Sequence, residues 1–206
     1  MPSAITPSPH IRSAARWKGL RVGLLGGSFN PAHAGHMHIA RQAIIRFKLD
    51  AVWWVVSPGN VLKTKNVVAD FDARVEAVRA FVNHPRMCVT DIERHLKTRY
   101  THDTVKALKI RFPATRFVWI AGMDNAVDFH RWDRWADLPH LVPFVFFDRP
   151  PALAKIKGKR LRQNKRIRQR TKIMTHRVKR HESGVFWMFK GRAVNLSSTQ
   201  IRAGKG

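Results

Sequence analysis

The chain of 206 residues is poor in cysteine, tyrosine and acidic side chains, with one cysteine, one tyrosine and 13 acidic residues. The single cysteine, Cys88, excludes an intramolecular disulfide and a thiolate-rich zinc site. No run of eighteen apolar residues occurs, so no membrane-spanning helix is predicted. Residues 1–10 lack the apolar segment of a secretion signal. We therefore expect a cytoplasmic protein in which residues 1–18 form a flexible tail.

Basic residues greatly outnumber acidic ones, and the formal net charge is +26. Thirteen Lys and Arg lie between Lys155 and Arg180, a stretch without any acidic residue. Such a field attracts polyanions, so weak polyanion binding through 155–180 is expected. The apolar residues of the stretch are spaced five and six apart, which gives no stripe at helical period. We predict a solvated helix or mobile insertion near 152–182, inside one domain spanning 19–206. An RNA-binding protein is the minor alternative, since aromatic residues for base stacking are missing there.

Apolar segments of strand and helix type alternate along the chain. Strands are predicted over 21–25, 51–56, 86–90, 116–121, 141–147 and 184–190, with helices over 34–47, 71–81 and 103–110 and from 196. This alternation is typical of βα units. The predicted fold is therefore α/β: a Rossmann-like open, mostly parallel sheet with helices on both faces.

The turn after the first strand is the predicted place for ligand chemistry. It contains neither of the common glycine-rich phosphate loops, G-x-G-x-x-G and G-x-x-x-x-G-K-[ST]. Gly26 and Gly27 allow a sharp turn and a close approach of the backbone to a ligand. His33 and His36 lie three residues apart on the first turn of the next helix, where paired donors suit a phosphate. Two alternatives remain: a metal site that also uses His38, and histidines that only cap the helix.

The string Gly-Gly-Ser-Phe-Asn-Pro-x-His-x-Gly-His at 26–36 resembles the signature of the nucleotidyltransferase superfamily. The resemblance implies in-line attack on the α-phosphorus of a nucleoside triphosphate, with release of pyrophosphate and no covalent enzyme intermediate. Such chemistry depends on positioning and charge stabilisation. The implied catalytic residues are His33 and His36, and losing either is expected to cost roughly 10²–10³ in rate. The implied ATP-binding residues of the loop are Gly26, Gly27, Ser28 and Phe29.

A second string, Leu-Ser-Ser-Thr-Gln-Ile-Arg at 196–202, resembles the superfamily's Ile-Ser-Ser-Thr-x-Ile-Arg motif at a helix start. On its own, Ser-Ser-Thr is an ordinary helix N-cap. The resemblance implies that Ser197, Ser198 and Thr199 bind ATP and that Arg202 is catalytic, neutralising the pyrophosphate. Mg²⁺ is expected to accompany ATP. No metal ligand of the protein is predicted.

Three further strings are similar to those of nicotinate-nucleotide adenylyltransferases. Tyr-Thr-x-Asp-Thr occurs at 100–104, Gly-x-Asp at 122–124, and an aromatic segment, Phe-His-Arg-Trp-Asp-Arg-Trp, at 129–135. The resemblance implies that Gly122 and Asp124 contact the ATP ribose and that Trp132 stacks on a pyridine ring. The implied mononucleotide-binding residues are Asn60, Lys63, Thr101, His102, Trp132 and Asp133. Without the resemblance, Trp132 and Trp135 fit a core or surface aromatic pair and Lys63 a solvated loop lysine.

The resemblance extends from about Arg21 to Arg202 and implies an enzyme of NAD biosynthesis. The expected reaction transfers AMP from ATP to nicotinate mononucleotide, forming deamido-NAD and pyrophosphate. Nicotinamide mononucleotide is an alternative acceptor, because it differs from the acid by one group. Pantetheine-phosphate adenylyltransferases and cytidylyltransferases share the first string but lack the Tyr-Thr-x-Asp-Thr and Phe-x-x-Trp strings.

Overall fold

A computed structural model describes residues 9–58, 70–148, 156, 158–172, 176–179 and 181–188. Seven strands form one parallel sheet. They are β1 (Arg21–Gly27), β2 (Ala51–Val56), β3 (Met87–Thr90), β4 (Arg116–Gly122), β5 (Phe144–Phe147), β6 (Gln169–Lys172) and β7 (Val185–Met188). Their order across the sheet is β3-β2-β1-β4-β5-β7-β6. The predicted parallel α/β sheet is thus confirmed.

Helices cover both faces of the sheet, as predicted. They are α1 (Ala14–Trp17), α2 (Ala34–Arg46), α3 (Phe71–Phe81), α4 (Ile92–Leu96), α5 (Thr101–Arg111), α6 (Met123–Asp128), α7 (Leu138–Leu141) and α8 (Arg160–Gln163), with a 3₁₀ turn at Phe129–Arg131. Because strand side chains alternate between faces, the adjacent Trp53 and Trp54 belong to two separate cores. The core around Trp53 includes residues of α1 and α5, and the core around Trp54 includes residues of α2 and α3.

The strand order changes direction beside β1. The chain passes from β1 outward to β2 and β3, then returns to place β4 on the other side of β1. Leu25 of β1 is in register with Ile120 of β4, so the turns after Gly27 and Gly122 lie side by side. In open parallel sheets ligands bind beyond the carboxyl ends of the strands at such a switch point. These two turns are therefore where the fold predicts a ligand-binding site.

The prediction of a flexible tail to residue 18 is wrong for its described part, residues 9–18. Trp17 at the end of α1 is only 1% exposed and packs edge-on against Trp53, with ring centroids 4.8 Å apart. The Thr90 hydroxyl donates to the carbonyl oxygen of Pro9 at 3.1 Å. Burial of the Trp17 indole holds this segment against the core, although the sequence of the segment gives only a weak helical signal. Residues 1–8 lie outside the described ranges.

The predicted basic insertion is partly built into the sheet. Its described residues include the short helix α8 and the edge strand β6, rather than one solvated helix. Ile156, Leu161 and Ile167 are buried in one core, and Val178 in the other. The described apolar residues of the segment therefore divide between the two cores instead of forming one helical face, which explains why their spacing shows no helical period. Within the described ranges, none of the helices combines the length and apolarity needed to cross a membrane.

Candidate active site

Two aromatic rings pack against the glycines that end β1. A Cβ atom on Gly26 would lie 2.5 Å from the Trp119 ring, and one on Gly27 would lie 3.3 Å from the Phe29 ring. Phe29 adopts φ +44°, a conformation that costs a non-glycine residue of order 1 kcal/mol. Its ring is only 3% exposed and packs edge-on to His36 at 5.1 Å. Packing thus fixes the backbone of this turn in a strained shape.

His33 and His36 form a reciprocal capping box at the N-terminus of α2. The Nδ1 atom of His33 accepts from the amide of Gly35 at 3.1 Å, and the Nδ1 atom of His36 accepts from the amide of His33 at 3.3 Å. The two rings lie 3.8 Å apart between centroids. The predicted placement of the pair on one helical turn is therefore confirmed.

The capping box selects one tautomer for both rings. A ring nitrogen that accepts a hydrogen bond carries no proton, so the proton of each neutral imidazole lies on Nε2. The capping alternative thus accounts for the Nδ1 atoms, whereas the Nε2–H groups take no part in the capping box. Ser, Thr, Asp and Asn are the preferred N-cap residues, so helix stability alone does not favour histidine here.

The metal alternative gains no support from the neighbourhood of these histidines. Among the described residues, no group of three or more His, Cys, Asp or Glu side chains could hold a metal ion. A metal site that uses His33, His36 and His38 would require further metal ligands from outside the described residues.

The turn after β4 lies against α2. Gly122 is the N-cap residue of α6, and a Cβ atom there would collide with the carboxylate of Asp124 and meet Ile39 of α2 at 3.6 Å. Asp124 is exposed in the first turn of α6. The structure thus brings both predicted residues to the switch point of the sheet, at the turn that packs against α2.

Trp132 and Asp133 follow the 3₁₀ turn after α6. Trp132 is half-buried, and its ring centroid lies 5.2 Å from Phe129 and 6.3 Å from Trp119. Asp133 is exposed. The core interpretation of Trp132 is therefore correct for part of the ring, since Phe129 and Trp119 fix its orientation. Trp119 also packs on Gly26, so one buried indole supports both the glycine turn and Trp132.

The N-terminus of α5 has no side-chain cap. Tyr100 occupies the N-cap position in extended conformation and makes no capping bond. The first amide groups of a helix lack intrahelical acceptors, so this end favours an anion. Thr101 is half-buried, whereas His102 is only 2% exposed and its Nδ1 lies 3.2 Å from Asp103 Oδ1. Because the ring is buried, the backbone amide is the group of His102 that suits the predicted binding role, which stays a prediction.

Several predicted site residues lie outside the described ranges. These are Asn60 and Lys63, which follow β2 in the sequence, and Ser197, Ser198, Thr199 and Arg202 of the second superfamily string. Their roles stay predictions.

Sequence reasoning missed two buried charged residues near the site. Arg74 of α3 is 3% exposed and Glu93 of α4 is 5% exposed. The Thr104 hydroxyl donates to Glu93 Oε1 at 2.9 Å and lies 3.1 Å from the carbonyl oxygen of Tyr100. Glu93 therefore connects α4 to the first turn of α5. The final Thr of the Tyr-Thr-x-Asp-Thr string was the available signal, because a buried hydroxyl requires a partner.

Burial raises the pKa of Glu93 to about 7, against the opposing effect of its hydrogen bond from Thr104. In the unfolded chain the pKa returns to about 4.3, so the folded state retains the proton between these two values. The free energy of unfolding therefore falls as the pH rises through this window. We expect Glu93→Gln to abolish this pH dependence. Between pH 5 and pH 8, the free energy of unfolding of wild type should therefore fall by on the order of 2 kcal/mol relative to that of the variant.

Urea unfolding of both proteins at each pH measures this difference, and other titrating groups cancel in the comparison. Parallel pH profiles for the two proteins would show that Glu93 titrates normally.

Comparisons with known proteins agree with this architecture. The family model for cytidylyltransferase-like proteins matches residues 24–204. A "probable nicotinate-nucleotide adenylyltransferase" of Cereibacter sphaeroides is 46% identical over 184 residues, covering 88% of this chain and 96% of the relative. A relative of the same name from Ruegeria pomeroyi is 42% identical over 197 residues, covering 91% of this chain and 88% of its own length.

A solved structure of Plasmodium falciparum nicotinic acid mononucleotide adenylyltransferase complexed with NaAD is similar in fold. Its TM-score is 0.64 at 18% identity, covering 89% of this chain and 83% of the other. The fold, the family model and the near full-length relatives together show that the chain belongs to the cytidylyltransferase-like family and, within it, to the nicotinate-nucleotide adenylyltransferases.

Proposed function

We propose that this chain transfers AMP from ATP to nicotinate mononucleotide, giving deamido-NAD and pyrophosphate in NAD biosynthesis. The observation that carries the proposal is the His33–His36 capping box at the switch point of the sheet, in a chain 46% identical to a relative of that name. Two Nε2–H donors side by side suit the oxygens of a triphosphate. The N-terminus of α2 adds a favourable dipole for the same charge.

The chemistry requires no covalent intermediate on the protein. A phosphate oxygen of the mononucleotide bonds to the α-phosphorus of ATP. The bond from that phosphorus to the α,β-bridging oxygen breaks, and its electron pair leaves with pyrophosphate. His33 and His36 stabilise the charge that develops on the phosphate oxygens. Ser28, Phe29 and the glycine backbone hold the triphosphate, and Arg202 with residues 197–199 is proposed to neutralise the leaving group.

The acceptor is proposed to lie between α5 and Trp132. The uncapped N-terminus of α5 supports an anion-binding role for the amides of Thr101 and His102. The half-buried Trp132, oriented by Phe129 and Trp119, supports stacking on the pyridine ring. Asn60, Lys63 and Asp133 are proposed to complete the mononucleotide site, and Gly122 with Asp124 to contact the ATP ribose.

Mg²⁺ is proposed to arrive as part of the substrate, bound to the triphosphate of ATP. The described residues include no cluster of three ligating side chains for a resident ion, whereas Mg²⁺ readily binds through substrate phosphates. The reaction is expected in the cytoplasm, where ATP is available.

A pyrophosphate-release assay with ATP and one acceptor at a time tests the proposal. We expect fastest turnover with nicotinate mononucleotide, slower turnover with nicotinamide mononucleotide and none with phosphopantetheine. His33→Ala and His36→Ala should each reduce the rate roughly 10²–10³-fold while the protein stays folded, because each removes one donor to the developing charge.

Turnover with another acceptor but none with nicotinate mononucleotide would overturn the choice of substrate. Full activity in a folded histidine variant would overturn the mechanism instead.

We also propose weak polyanion binding at the sheet edge around β6. Arg160, Lys165 and Arg166 are exposed there, and the surrounding segment, 158–179, has no acidic residue. Binding of single-stranded RNA should fall steeply with salt. Replacing these three residues by Gln should weaken it about tenfold at low salt, by loss of phosphate contacts. The matched control replaces three exposed cations elsewhere, Lys18, Lys106 and Arg111; an equal loss in both triple variants would mean that net charge alone attracts RNA.

A further inference from the structure

Arg74 donates three hydrogen bonds to backbone carbonyls of two different turns. Its Nη1 atom donates to the carbonyl oxygens of Ser28 at 2.7 Å and Ser57 at 2.9 Å, and its Nη2 atom donates to that of Pro58 at 3.2 Å. The residue is only 3% exposed. Buried arginines are rare because their charge loses solvation, so an arrangement of this kind requires several good acceptors.

The three acceptors lie at the carboxyl ends of neighbouring parallel strands. Ser28 directly follows β1, and Ser57 and Pro58 directly follow β2. Gly27 and Val56 are the last register pair of these strands, and the Ser57 amide donates to the Gly27 carbonyl oxygen at 2.9 Å. The Arg74 guanidinium therefore extends the connection between β1 and β2 beyond the end of the sheet.

The two connected turns serve different substrates in the proposed function. Ser28 belongs to the turn assigned to ATP, and Ser57 and Pro58 belong to the turn that precedes Asn60 and Lys63, which are assigned to the mononucleotide and lie outside the described residues. Transfer between two bound substrates is sensitive to their separation, and a misplacement of about 1 Å can cost roughly 10²-fold in rate. A group that spans both turns is thus placed to set this separation.

We propose that Arg74 is a positioning residue that holds the turn after β1 and the turn after β2 at a fixed separation for in-line transfer. The inference rests on the proposed function. The planar guanidinium directs donors from two nitrogens toward separate acceptors in a fixed geometry, which the single ammonium group of lysine does not reproduce. Asp70 caps α3 and, with Phe71 5.4 Å beneath the guanidinium, orients the residue at the start of the helix. Burial lowers the pKa of Arg74, which agrees with a charge enclosed by carbonyl groups instead of water.

Arg74→Lys keeps the charge and removes the fork. Because each turn retains its own contacts with its substrate, we expect kcat to fall roughly 10²-fold while the KM values for ATP and nicotinate mononucleotide change less than about threefold. Arg79→Lys is the matched control on the same helix, since Arg79 is exposed and pairs with Glu76. This control should change kcat less than about twofold.

The outcomes separate this inference from the proposed function. If wild type turns over nicotinate mononucleotide and folded Arg74→Lys has a normal kcat, or a raised KM for one substrate alone, the positioning role is wrong. If wild type itself does not turn over this substrate, the proposed function has failed first.

Amide hydrogen exchange on the wild-type chain decides the matter if Arg74→Lys does not fold. We expect nicotinate mononucleotide alone to slow exchange at Phe29, because the Phe29 amide belongs to the same peptide group as the Ser28 carbonyl that Arg74 binds. Unchanged exchange at Phe29 would overturn the proposal. Ser57 does not serve as a reporter, since its amide bonds Gly27 directly.

Discussion

The hydrogen bonds that His33 and His36 make at the start of α2 determine how the rest of the site works. Each ring uses Nδ1 to satisfy a helix amide, so each holds its remaining proton on Nε2. The same contacts stabilise the helix end and fix the ring orientation. The two residues proposed to bind the phosphates are therefore also structural residues of the fold, because the capping box that orients their rings also closes the start of α2.

Aromatic side chains packed next to the histidine pair support this arrangement. Phe29 packs edge-on to the ring of His36, and Trp119 fills the space that a side chain on Gly26 would need. Trp119 also contacts Trp132, which extends the same aromatic support to the acceptor side of the proposed site. Positioning chemistry requires rigid supports of this kind, because catalytic groups displaced by a fraction of an ångström lose much of their effect.

The sequence predicted the central strands and the histidine pair because their signals are local. β2 is a continuous apolar run, as a strand buried on both faces requires. β6 is different: Gln-Arg-Thr-Lys has no apolar residue, and only its pairing with β7 makes it a strand. Burial of Trp17 and Arg74 likewise depends on partners distant in sequence. An arginine between Ala73 and Val75 gives no sign that its acceptors lie 16, 17 and 46 residues away.

The central claim is that the capping box holds the proton of both imidazoles, which are proposed to be catalytic, on Nε2 before any substrate binds. Nitrogen NMR of the ¹⁵N-histidine-labelled, ligand-free protein at about pH 8, where histidine rings are normally neutral, measures this most directly. Signals assigned with His33→Gln and His36→Gln should show, for both rings, a protonated Nε2 and an unprotonated Nδ1. A proton on Nδ1 of either ring would contradict the capping geometry and, with it, the account of how this site holds a triphosphate.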